Sequence, residues 1–500
     1  MATRPVLSRP QRPERTALAP GLEIARVVTG LWQVADQERG GTLLDPVVAA
    51  GHLAQYAAAG FDSFDMADHY GSAEVITGEL LNSAAGRSMP AIRAFTKWCP
   101  PPGPMTPEAV RAGVMRSLER MRTGRIDLLQ FHWWTFEHPQ WLDAMLELAK
   151  LRDEGLIGHI GLTNFDTAHL NLLLAEGVPV ASNQVCCSLL DRRATEAMSA
   201  LCLAKGVKLL CYGTLAGGFL GERWLGAPEP VEVGDWSKMK YRRFIDAVGG
   251  WGALQGVLRA ADGIARKHGV SIANVATRWV LEQPAVAAVI VGARLGERVH
   301  RDDNLKLFAF ALDADDRAAL DAAFAHTKRI PGDCGDEYRR PPFLTASGDL
   351  SHHLDALPPV YVKEAVPGHG DAGDRWRVSS GSVWEPLAGY SRAVRSGKRI
   401  LVSGTTATHG AGQLVGGSDA GAQTTWILDK IAAAIASLGG RMEDVVRTRV
   451  YLADVADWEA VAREHGRVFG AIRPANTLLQ VGALVGSGYK VEIEAEAELP

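Results

Sequence analysis

The chain has 500 residues, enough for two or three domains of ordinary size. Its hydrophobic fraction of 47% supplies sizeable cores, and a formal net charge of -4 excludes the strongly basic balance of a nucleic-acid binder. No apolar run reaches the roughly 18 residues of a membrane span, and six cysteines form no C-x-x-C pair, which points to reduced thiols in a cytoplasmic protein.

Residues 1–21 are basic and proline-rich without an apolar h-region, so they read as an N-terminal extension and not a signal peptide. Residues 22–326 then alternate. The β-like runs are "ARVVTGLWQV", "FDSFDMA", "AIRAFTKW", "IDLLQFHWW", "HIGLTNF", "VASNQVCC", "VKLLCYGTL" and "VAAVIVGA". Between them lie helical patterns such as "TPEAVRAGVMRSLERMRTG", with Thr106 as N-cap, Pro107 in the first turn and Gly124 at the end. Strands apolar on both faces are parallel strands covered by helices. Eight such units over about 300 residues predict an α/β fold of the (β/α)8 barrel type, with a doubly wound open sheet as the alternative.

Residues 327–385, rich in proline and glycine, read as a linker. The "GHGDAG" at 368–373 satisfies G-x-G-x-x-G but has no strand before it and no helix after, so it is read as part of that linker. Residues 386–500 form a second unit. A hairpin turns at Ser396-Gly397, the helix "AQTTWILDKIAAAIASLGG" follows, and then come a strand, a helix and two strands. The order β-β-α-β-α-β-β predicts a small α+β domain with helices on one face of a mixed sheet. Glu492, Glu494, Glu496 and Glu498 alternate and so share one strand face.

In a barrel, chemistry collects at the C-terminal ends of the strands. There the second strand offers Asp65, with Tyr70 in the next loop; the third offers Lys97 and the fourth His132. A phenol titrates near ~10, and a neighbouring ammonium favours its ionised form. Asp65 would hold Lys97, Lys97 would tune Tyr70, and His132 would orient a substrate oxygen. Trp32, Trp98, Trp133 and Trp134 lie at the same rim and would line an aromatic substrate pocket or pack the barrel end. The insertion 217–250, with Trp224 and Trp236, could fold over a ligand. The 14 histidines show no metal-ligand spacing, so no metal is expected.

"FDMADHYGSAE", "TKW", "LLQFHWW", "IGLTNF", "NQV" and "VGAR" together resemble the aldo-keto reductase family over residues 22–326. The resemblance implies an oxidoreductase that interconverts a carbonyl and an alcohol, its small-molecule substrate an aldehyde, ketone or sugar lactol. Tyr70 becomes the general acid/base, with Lys97, Asp65 and His132 in the roles above. Asp68 and His69 receive none. It also implies a nicotinamide cofactor, NADP before NAD. Thr163, Asn164 and Gln184 would bind its carboxamide, Tyr212 would stack on its ring, and Leu215 and Gly217 would lie along its pyrophosphate. Gly292, Arg294, Arg298 and Asn304 would hold its far phosphate, as arginines near helix starts do. Gly292 replaces a lysine common in the family, and two extra residues separate this turn from Asn304.

"AGYSRAVRSGKRILVSG", "VVRTRVYLAD", "RPANTLLQVGALV" and "KVEIEAEA" resemble the reactive-intermediate deaminase (RidA/YjgF) family over about 385–500. This implies a homotrimer with clefts between subunits, to which Tyr390 and Glu492 match. The family's arginine after "P-A" is Asn476 here. An amide cannot copy a guanidinium's charge and bidentate grip, so standard imine deamination is not expected. The alternatives are a two-step scavenger of reactive carbonyls and imines, and a non-catalytic cofactor-binding or assembly protein.

Overall fold

The computed structural model describes residues 10–34, 43–89, 92–234, 236–297, 299–340, 356–366 and 375–500. The "GHGDAG" stretch lies outside them. Eight parallel strands close a barrel: β1 (Val27–Gly30), β2 (Ser63–Asp65), β3 (Arg93–Trp98), β4 (Ile126–His132), β5 (Ile157–Thr163), β6 (Val180–Cys186), β7 (Lys208–Tyr212) and β8 (Val286–Gly292). Each pairs with its chain neighbour, and β8 returns to β1 through Gly292 opposite Gly30.

Strand alternation decides what each side chain faces. On β3, Phe95 and Lys97 point into the barrel; on β4, Leu128, Gln130 and His132 do. The lower members of these rows are apolar. Phe95, Leu128, Leu210 and Ile290 pack against Leu18, Leu22 and Ile24. Those three come from a hairpin, Arg15–Ala19 with Leu22–Ala25, whose first strand falls in the stretch expected to be an extension. This hairpin fills one end of the barrel, and the polar members of the same rows sit at the other.

The intervening residues face the helices. Trp98 is 5% exposed and Trp133 is fully buried; both pack on Phe131. Their expected place in a substrate pocket is therefore corrected: one position away from inward-facing Lys97 and His132, they point to the outside of the barrel. Trp98 rests on Gly113 of the helix Pro107–Met121, which Thr106 caps by accepting from the Ala109 N–H. That helix ends at Arg122, in the left-handed region at φ 48, and not at Gly124. A Cβ on Gly113 would stand 2.5 Å from the indole. Overpacking costs about 1–3 kcal/mol, against the gain of about 1 kcal/mol from replacing a helical glycine. Gly113→Ala should therefore lower the denaturant midpoint of unfolding, and a raised midpoint would refute the packing assigned to Trp98.

The second unit is a seven-stranded sheet. Its strands are β9 (Lys363–Ala365), β10 (Arg375–Val378), β11 (Ala393–Ser396), β12 (Arg399–Thr406), β13 (Val445–Leu452), β14 (Ala475–Gln480) and β15 (Val491–Glu498), in the order β9-β10-β11-β12-β15-β13-β14. Two of them, β9 and β10, come from the stretch read as linker. Val491, Ile493, Ala495 and Ala497 face the core, leaving the four glutamates on the opposite face.

The helix Ala420–Ser437 is buried almost all round. One side covers the sheet and the other packs on the barrel helix Thr167–Ala175. Trp426 meets Trp141 edge-on at 6.0 Å, and Asn171 donates to Asp419 at 2.9 Å. At the centre His169 is 1% exposed, with Nδ1 2.7 Å from Asp166 and Nε2 3.1 Å from Asp429. Its ring lies flat on Phe136, with centroids 3.4 Å apart.

Candidate active site

Three strands bring the expected groups together. Lys97 Nζ lies 2.6 Å from Asp65 Oδ2 and donates also to the Met66 carbonyl at 3.0 Å. Gln130 and Gln184 donate to Asp65 Oδ1 at 2.8 and 2.7 Å. The carboxylate thus receives three donors, all buried, as a charge out of water requires. Sequence reasoning passed over Gln130, although its position two before His132 puts it on the same inward row. Gln184, assigned to the cofactor, spends its amide on Asp65 and Gln130.

Tyr70 stands with its ring centroid 4.8 Å from Lys97 Nζ. Trp32 meets the ring edge-on at 4.9 Å, and His69 does the same at 4.9 Å. The expectation that Lys97 makes this phenol acidic meets an opposing environment. Burial, joined by the negative charge of Asp65, pushes Tyr70 well above the ordinary tyrosine range. Asp65 already matches the ammonium charge, which leaves little to favour a phenolate. A protonated Tyr70 is suited to giving a proton.

His132 Nδ1 faces the Thr163 carbonyl at 3.1 Å. A carbonyl only accepts, so Nδ1 carries the hydrogen. A neutral ring then presents Nε2 as an acceptor for an alcohol hydroxyl, and a doubly protonated ring presents it as a donor to a carbonyl. Trp134 meets this imidazole edge-on at 4.4 Å, so Trp32 and Trp134 are the tryptophans at the site. Asp68 serves the loop: it accepts from the Cys99 N–H at 3.2 Å and lies 3.1 Å from His69.

The residues assigned to a dinucleotide carry suitable chemistry. The Thr163 hydroxyl is buried without a hydrogen-bond partner. Asn164, at φ 58, turns its amide oxygen to the Tyr212 hydroxyl at 2.8 Å. Leu215 is half-buried, and its carbonyl accepts from Gly218 and Leu220. The space beside these groups is filled by the chain itself. Cβ atoms on Gly213 and Gly217 would meet Tyr241 at 2.4 and 2.8 Å, and one on Gly292 would meet Gln33 at 2.1 Å. Tyr241 belongs to the helix Trp236–Ala247 of the 217–250 insertion. From the same insertion, Trp224 packs on Phe219 and Trp251. Arg294 is half exposed, 3.8 Å from Glu297. Asn304 lies in the short helix Arg301–Leu305, and Arg298 lies outside the described residues.

In the second unit, Tyr390 stacks loosely over Arg392 at 5.7 Å. Glu492 lies against Gly404, and burial raises its carboxyl above the usual range. Asn476 donates to Thr448 at 2.9 Å. Thr448 pairs with Ala495 across β15, three positions from Glu492, so this chain alone does not join Asn476 to the other two.

Residues 26–325 match the profile of the Aldo/keto reductase family, and residues 381–499 match the one described as Endoribonuclease L-PSP. The aldo-keto reductase YhdN of Bacillus subtilis (strain 168) is 24% identical over 347 residues, covering 66% of this chain and 98% of that protein. A solved glycerol dehydrogenase of Gluconobacter oxydans is 22% identical at a TM-score of 0.50, covering 62% of this chain and 94% of that one; the likeness is one of fold. A Mycobacterium tuberculosis protein of the YjgF/YER057c/UK114 family is 43% identical over 25% of this chain and 99% of that one, with a TM-score of 0.23.

Proposed function

The chain belongs to the aldo/keto reductase family, and from that premise we propose that it reduces a small aldehyde, ketone or sugar lactol, with Tyr70 as the proton donor. The observation that carries the reading is the junction of Asp65, Lys97, Tyr70 and His132 at one rim of the barrel. The family generally uses NAD(P)H, and such a dinucleotide supplies the hydride when bound. The chain's own groups do the rest. Tyr70, kept protonated by burial, gives its proton to the carbonyl oxygen as that oxygen gains negative charge. Lys97 then stands beside the phenolate left behind, held in place by Asp65. His132 Nε2 fixes the direction of the oxygen, and Trp32 and Trp134 supply apolar walls. Thr163 and Asn164 would hold the carboxamide, and NADP is preferred to NAD on the strength of Arg294. Consumption of NADPH and NADH against a panel of small carbonyls tests the reading. No turnover with any of them would overturn it.

We infer further that the second unit assembles the protein as a trimer in the cytoplasm and does not deaminate standard imines, because Asn476 lacks the guanidinium. The sheet face away from the helices presents Leu401 at 44% and Leu479 at 42% exposure among the glutamates, a surface suited to another copy. Sedimentation of the full chain should give about three times 53.7 kDa. A monomer at micromolar concentration would remove this claim.

A further inference from the structure

We propose that residues 331–340 are an inhibitory strap, which occupies the nicotinamide end of the site and has to leave before a dinucleotide can bind. The inference rests on the reading above, that Asn164 and Tyr212 face the nicotinamide.

The strap follows the last barrel helix, Ala314–Phe324, and crosses the polar end of the barrel. It is short, but it is fastened at every step. Asp333 accepts from the Thr167 N–H at 2.8 Å, beside the Asn164 loop. Gly335, at φ +85, lies so close to Asn164 that a Cβ would stand 2.0 Å from its carbonyl oxygen. Glu337 is 2% exposed, 2.9 Å from Arg193 and 3.4 Å from the Tyr212 hydroxyl. Tyr338 puts its hydroxyl 3.2 Å from that of Tyr212 and receives Lys240 at 2.7 Å, while its ring meets His132 edge-on at 5.7 Å. Arg339 donates to the carbonyls of Trp133 and Asn164. Three consecutive strap residues therefore engage the residues expected to grip or stack on a nicotinamide.

These contacts exclude a ligand in two ways. They take the volume beside Tyr212, whose ring also has Lys240 at 4.8 Å from its centroid. They also use polar groups: the Tyr212 hydroxyl faces Glu337 and Tyr338, and the Asn164 carbonyl accepts from Arg339, while the Asn164 amide oxygen is taken by Tyr212 itself. The insertion helix continues the obstruction, since Tyr241 covers Gly213 and Gly217. A dinucleotide with its ring on Tyr212 and its pyrophosphate along Gly217 would need both segments to move. The strap is held by a few buried anchors, Cys334 in the core and Glu337 on Arg193, while Pro331, Gly332 and Arg340 are exposed and its regular structure is a single helical turn, Asp336–Arg339. Arg340 donates to the Arg467 carbonyl in the second unit at 3.3 Å, so displacement of the strap is felt there.

A site open only a fraction of the time binds with its affinity reduced by that fraction, so loosening the strap should tighten binding. The test is fluorescence titration of the full-length chain with NADPH, for wild type, Gly335→Ala and Tyr338→Ala. The alanine at 335 disfavours the seated strap by steric overlap without deleting a polar side chain; the one at 338 removes the phenol that meets Tyr212 and Lys240. Each should lower the apparent Kd by about tenfold or more. In parallel, NADPH should speed tryptic cleavage after Arg339 in the wild type, because a displaced strap offers this bond to the protease; Arg340 precedes Pro341 and is not cut. Equal or weaker binding by both variants, or slower cleavage with NADPH, overturns the strap while leaving the oxidoreductase reading intact. Failure of all three proteins to bind NADPH or NADH sinks that reading and the strap with it.

Discussion

Tyr70→Phe is expected to lower carbonyl turnover by about 10²–10⁴-fold, the usual contribution of a positioned acid or base, with NADPH affinity unchanged within about twofold. The change removes one oxygen from a half-buried ring that Trp32, His69 and Lys97 hold from three sides. The ring keeps its place, so binding and rate separate. The shifted phenol adds a directional expectation. Burial and Asp65 keep the proton on Tyr70 at neutral pH. Reduction, which consumes that proton, should run across the neutral range. Oxidation needs the phenolate and should accelerate as pH rises toward and beyond the ordinary tyrosine value of ~10. Rates in both directions from pH 6 to 10, for wild type and variant, check this. If the variant keeps most of its turnover, Tyr70 is not the donor.

The second large effect concerns stability. His169→Ala should cost about 3–5 kcal/mol, because breaking a buried ion pair leaves the partner charges unmatched. That is a large share of the about 5–15 kcal/mol by which folded proteins are stable. Asp166 and Asp429, 2% and 7% exposed, would face each other without the imidazolium between them, and Arg467, 3.8 Å from Asp166, would be the nearest cation left. The pH dependence has a definite sign. Burial opposes a charge on His169, but Asp166 and Asp429 outweigh it and its pKa is raised. Its stabilisation is complete below its unfolded value of about 6.5 and is lost as pH climbs through the folded one. Burial likewise opposes Asp166, yet His169 and Arg467 hold it below the usual carboxylate range, so its share is present above about 4 and fades in acid. Asp429, raised by burial, works against Asp166 in that acid range. Wild-type Tm should thus fall as pH rises above about 6.5, and this His169-linked part of the fall should vanish in the variant. Parallel Tm curves for the two proteins would dismiss the interface assigned to His169.

Much of this molecule is written in local order. Eight apolar runs with capped helices between them can bury their two faces only as covered parallel strands. Period-two alternation then sends Asp65, Lys97 and His132 inward at one end. The short motif around Tyr70 places the phenol in the loop above them. The same alternation, applied one residue further, also separates Trp98 and Trp133 from the site. What the chain order does not carry is contact between distant segments. Gln184 meeting Asp65, the helix Ala420–Ser437 burying its second face on the barrel, and Glu337 and Tyr338 arriving at Tyr212 all join residues more than a hundred positions apart. Polar residues on a stretch such as 331–340 have no periodicity to announce burial; the ion pair of Glu337 with Arg193 and the hydrogen bond from Lys240 to Tyr338 decide it, and those partners exist only once the barrel is closed. Local chemistry determined which groups the protein owns, and tertiary packing decided which of them face a ligand and which face one another.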